Sequence, residues 1–175
     1  MDPYIGQVKD VVLGQDFLTW LWYASEYRNG LFETKDGRQF TLRLEQRVSV
    51  QGGEGESLET ATVSGAMSSL KEARIGLGTG KKVTRALVVL EDDPEEWRVT
   101  LKAEDFSFSS LKTPAIEAGK DEDDDPDAKF LEKIYLIERC LDCIDSVYAE
   151  FLNLRFSREW PEEISRFRSW LAREQ

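Results

Sequence analysis

Histidine is absent from this 175-residue chain, and cysteine and methionine occur only twice each. Without histidine there is no Ser-His-Asp or Cys-His catalytic group, no histidine-ligated haem and none of the usual histidine-bearing zinc sites. Two cysteines cannot furnish a four-thiolate metal site from one chain. Long apolar runs are missing as well. The longest, residues 17–24, is broken by Thr19 and falls short of the roughly 20 residues that a bilayer span needs. No basic stretch followed by an apolar run marks the first residues as an export signal, so the thiols are expected to be reduced, in a cytoplasm. Cations are scarce relative to anions: 23 Lys and Arg face 34 Asp and Glu, for a net charge of −11.

Apolar material is not scarce. At 41% hydrophobic residues the chain can bury a core, and its length suits a single α+β domain over residues 1–175. The acidity is local. Residues 117–127 hold seven acids and one lysine and carry −6 of the −11, with no apolar residue except Ala118. Such a segment reads as an exposed linker between a sheet-containing part, 1–116, and C-terminal helices, 128–175.

Hydrophobic periodicity supplies the elements. Gly14 or Asp16 can start a helix that Asn29-Gly30 stops, and seven of the eight residues 17–24 are apolar, around every side. That aromatic helix must be buried all round, within the fold or partly against a partner. Phe40, Leu42 and Leu44 alternate with Thr41 and Arg43, so residues 31–34, an Asp36-Gly37 turn and 40–50 predict a hairpin. With a third strand over 58–63, this predicts an antiparallel meander. A helix over 64–77, a strand over 83–90 and a partner strand over 97–101 complete the order βββαββ. Phe130, Ile134, Ile137, Leu141, Ile144, Tyr148 and Phe151 recur at steps of four and three, a heptad seam on a long helix. Leu131, Tyr135, Cys140, Val147 and Leu152 widen the stripe, as in a helix packed on a sheet or another helix. Pro161 opens a last short helix with Ile164, Phe167, Trp170 and Leu171 on one face. Two such apolar helices exceed what one core of this size comfortably hides. A homodimer is therefore expected, with Trp20, Trp22, Tyr148 and Phe151 as candidate interface residues.

Motif chemistry is thin. The run Gly76-Leu77-Gly78-Thr79-Gly80-Lys81-Lys82 departs from a phosphate loop, with Ile75 where the first glycine belongs and Lys82 where Ser or Thr belongs. These glycines also follow a helix and precede a strand, which fits a helix C-cap. Cys140-Leu141-Asp142-Cys143 has redox or metal spacing but lies mid-helix in an apolar stripe, as buried structural cysteines do. No convergent catalytic group, metal set or cofactor motif is seen, so no catalytic residue and no cofactor is expected. Lys71, Arg74, Lys81, Lys82 and Arg85 do cluster in an acid-poor stretch where Glu72 is the one acid, a candidate patch for phosphates or an ordinary solvated face.

Three segments resemble the RdgC family of bacterial recombination-associated proteins, particularly its C-terminal half and shorter members. They are Leu13-Gly14-Gln15-Asp16-Phe17-Leu18-Thr19-Trp20-Leu21-Trp22-Tyr23; Ala73-Arg74 through Gly80-Lys81-Lys82 to Ala86-Leu87; and Tyr135-Leu136-Ile137-Glu138 to Phe151-Leu152, with Arg155 and Trp160. The resemblance implies a nucleoid-associated, non-enzymatic dimer that encircles double-stranded DNA with little sequence preference and restrains RecA-type recombination machinery. Arg74, Lys81 and Lys82 match the family's basic stretch after its central helix. The alternative class is a protein-interaction or oligomerisation module that does not bind DNA.

Overall fold

The computed structural model describes residues 12–52, 59–64, 75–116 and 126–172. The fold is α+β. Helix α1 (Gly14–Tyr27) is followed by β1 (Leu31–Glu33), β2 (Gln39–Gly52), β3 (Glu59–Ser64), β4 (Lys82–Asp92), β5 (Glu95–Lys102) and β6 (Ser107–Lys112), then by α2 (Pro126–Arg155) and α3 (Trp160–Ala172). All pairings are antiparallel, in the order β1-β2-β4-β5-β6, with β3 also on β2. Of the helix expected over 64–77, Ser64 ends β3 instead, 65–74 lie outside the described residues, and 75–78 are helical.

Three expectations are corrected. The first three strands do not form a meander, because β4 takes one whole side of the long β2, from Thr41↔Glu91 to Gln51↔Lys82. β1 and β3 therefore share the other side, on opposite halves of β2. A sixth strand, β6, pairs with β5 where no strand was expected. The last long helix starts at Pro126, so the segment taken as linker ends earlier than 127.

Alternation places Phe40 and Leu42 of β2, Ala86, Val88 and Leu90 of β4, and Trp97, Val99 and Leu101 of β5 on one buried face. Helix α1 lies on that face, and α2 and α3 cover it in turn. Phe17 packs against Tyr148 and Phe151, Trp20 against Phe151, and Tyr23 against Phe167 and Trp170. That is how a helix apolar on every side finds burial on every side within one chain. The core draws on both sides of the acidic segment, from Phe17 to Ala103 and from Leu136 to Trp170.

Close approach fixes the entry to α1. A Cβ on Gly14 would lie 2.0 Å from the Ala103 carbonyl oxygen, so only glycine lets the helix start meet the end of β5. At the far end Gly30, at φ +80°, turns the chain into β1 and accepts from the Leu42 amide at 2.8 Å.

Candidate nucleic-acid interface and assembly surface

Polar groups inside the core are matched to one another. Lys82 bonds Asp16 of α1, both almost fully buried, and the Arg155 guanidinium lies 3.7 Å from the second Asp16 oxygen and over the Trp160 ring. Asp16 sits in the first turn of α1, where the helix dipole adds to its stabilisation. Buried Glu163 accepts from Trp20 Nε1 at 3.0 Å and from Arg166 at 3.2 Å. These carboxylates are structural anchors. Lys82 is thereby turned inward and is not part of a surface patch.

The other members of the basic cluster separate. Lys71 and Arg74 lie outside the described residues. Lys81 is half-buried just before β4. The glycine turn before it closes the helix: Gly80 N donates to Leu77 O at 3.0 Å, and Lys81 N and Thr79 Oγ1 both donate to Gly76 O. These amides cap a helix C-terminus and do not form a phosphate cradle. Arg85 is exposed on the sheet face that the helices leave open.

That open face carries a charge pattern the sequence order conceals. At the β4–β5 turn its cations are neutralised: Arg43 pairs with Glu91 at 2.7 Å, and Arg98 with Glu96 at 2.8 Å and Glu45 at 3.4 Å. Toward the other end Arg85 stands directly opposite Lys102, two exposed cations in cross-strand register. Like charges in that position repel. Lys102 was missed because it is distant in sequence from the basic cluster. Counting outward from the Asp92↔Glu95 turn pair would have found it, since every residue of this hairpin is then paired in order.

The candidate interface aromatics are packed within the chain and give no exposed interface. Trp20, Trp22 and Phe151 are buried; Trp22 donates to Glu26 at 2.7 Å and meets Trp170 edge-on. Tyr148 is half-buried, stacks on Phe106 and donates to Val12 O at 2.7 Å. Exposed apolar side chains lie elsewhere, and among the described residues they are densest along the first half of α2, with Phe156 exposed after its end. Phe130 and Leu131 are each 64% exposed, Tyr135 55%, and Ile134 and Leu141 are also open. The helix buries Leu136, Cys140, Cys143, Ile144, Val147 and Phe151, so the heptad seam that is open at Phe130 and Ile134 turns inward from Ile144 on. Trp97 Nε1 bonds Leu136 O at 2.9 Å, and Arg139 bonds Asp92 and Glu95, holding the helix on the β4–β5 turn.

Both cysteines are buried and unbridged. Desolvation pushes the Cys140 thiol up to about 12 and Cys143 to about 11, so neither supplies a thiolate near neutrality. Among the described residues no group of three or more acidic or thiol side chains is placed to hold a metal ion. A cavity of about 300 Å³ lies between α1 and β2, lined by Trp22, Glu26, Arg43 and Glu91. Its charged walls are already engaged, Glu26 with Trp22 and Trp170, Arg43 with Glu91. Among the described residues no helix is long and apolar enough to cross a membrane. Compared with protein-family models, curated proteins and solved structures, the chain matches none.

Proposed function

We propose that this chain is a non-enzymatic protein that associates with double-stranded DNA through phosphates, without reading base sequence. The observation that carries the reading is the Arg85–Lys102 pair. Two exposed cations held opposite each other on an open antiparallel sheet cost stability unless an anion lies across both, and a phosphate backbone provides one. The RdgC resemblance, whose second segment runs up to this strand, supports the same partner and a role beside RecA-type recombination machinery. The chain's net charge of −11 sharpens the requirement: binding has to use a local cationic site, because the chain as a whole repels a duplex.

The test is titration of labelled duplex by fluorescence anisotropy across a salt series. Affinity should fall steeply with salt, and Arg85→Glu with Lys102→Glu should weaken binding to all sequences alike, lowering the salt slope by about one unit per lost phosphate contact. No binding by the parent chain at low salt removes the DNA reading. A second reading, an assembly module, is favoured by a different observation, the apolar residues exposed along α2.

A further inference from the structure

We infer that the exposed seam of α2 pairs in parallel with the same seam of a second copy of this chain. The inference rests on the assembly reading and names its partner. Phe130, Ile134, Ile137 and Leu141 follow one another at steps of four, three and four, the spacing of the d, a, d and a positions of a coiled coil. Twelve helical residues make a seam about 18 Å long. Phe130, Ile134 and Leu141 are exposed and Ile137 is half-buried, while the neighbouring stripe from Leu136 to Phe151 is packed on the chain's own core. From 130 to 135 every residue is exposed, so this part of the helix stands clear of the body and a second helix can reach it.

Charge decides what the second helix is and how it runs. With the apolar residues at a and d, Lys133 takes a g position and Glu138 an e position, and both are exposed. In a parallel pair each g residue meets the e residue five positions on in the other helix. Lys133 then faces Glu138 of the second copy, and symmetry makes the ion pair twice. In an antiparallel pair e faces e and g faces g. Lys133 would then meet the Cys140 edge and Glu138 would meet Leu131, with no ion pair formed. The Lys133–Glu138 contact thus forms in the parallel direction only, with Asp127, one heptad before Ile134, the acid that would face its own copy beyond the end of the seam.

The contact is short, so the dimer should be reversible and dependent on concentration.

Sedimentation velocity on the full chain without DNA, over a hundredfold range of concentration, tests the assembly. A monomer–dimer equilibrium is expected; a monomer throughout overturns both the inference and the assembly reading it refines, whereas a larger assembly overturns the inference and keeps that reading. Ile134→Asp, on an exposed position, should abolish the dimer while leaving the circular dichroism spectrum and thermal midpoint unchanged. A dimer that survives Ile134→Asp keeps the assembly reading and removes this seam. Lys133→Glu and Glu138→Lys should each weaken association by about tenfold, two exposed ion pairs being turned into two repulsions. Mixing the two variants should restore it as a heterodimer, in which every facing pair is again opposite in sign. Phe130→Cys should cross-link to itself under mild oxidation; failure to do so with the dimer intact excludes the parallel register.

Discussion

Asp16 and Lys82, 66 residues apart in sequence, meet as a buried ion pair that ties the first turn of α1 to the start of β4. Arg155 of α2 approaches the same carboxylate, so one side chain joins the three elements. Removing one partner leaves the other charge buried. Asp16→Ala should therefore destabilise the fold by about 3–5 kcal/mol in urea unfolding. Lys82→Met should cost less, because Arg155 still neutralises Asp16. Equal losses from the two variants would mean that Arg155 contributes nothing.

Function and stability should separate at Lys102. Lys102→Glu turns the repulsive pair with Arg85 into an attractive one while giving up the attraction between Lys102 and Asp105, so stability should stay within about 0.5 kcal/mol. The same substitution should weaken duplex binding. A variant that loses both would show that Lys102 is needed for the sheet and would leave DNA out of its role.

The thiols make a pH prediction. Burial raises Cys140 to about 12 and Cys143 to about 11, from an ordinary value of 9.0. The folded state thus holds these protons more tightly than the unfolded state. The stability they provide is complete below pH 9 and is lost as pH rises through about 11 for Cys143 and about 12 for Cys140. The urea midpoint should fall across this window, and less steeply in a Cys140→Ala, Cys143→Ala variant. Identical slopes would show that the thiols do not titrate differently on unfolding. Native alkylation near neutrality should be slow and should become fast in denaturant.

Gly14 admits no side chain. Gly14→Ala places a Cβ against the Ala103 carbonyl oxygen, a backbone atom that moves only if β5 or α1 moves. A loss of about 3 kcal/mol is expected in thermal or urea unfolding. A near-neutral result would mean that α1 can shift along the sheet.

Much of the fold was legible because local pattern and burial agree where an element has one wet face. Phe40, Leu42 and Leu44 alternate, and the first two are buried as alternation requires. β6 escaped notice for an equally local reason. Its apolar residues, Phe108 and Leu111, are three apart, a spacing the strand accommodates with Ser110 at a positive φ of 55° and a slip in the register against β5 beside it. A bulge removes the period of two on which strand recognition depends.

On α2 the sequence determined that the helix is long and apolar along a stripe, but the three-four step alone could not say which part of the stripe is inside. Leu136, Cys140 and Val147 are buried whereas Phe130, Ile134 and Leu141 are not, because the first turns of the helix lie beyond the core and, from Leu136 on, only the side of the helix that meets the sheet and α1 is covered. The same division holds for the candidate site. Composition fixed the absence of histidine chemistry, and the all-round apolarity of residues 17–24 fixed the burial of α1. Which charges remain available was decided by tertiary structure. Lys82 is drawn inward because a carboxylate on α1 meets it there, and Arg85 acquires Lys102 because hairpin register sets them opposite each other. Periodicity is a property of neighbours along the chain; pairing between distant charges exists only once the sheet and helices have brought them together.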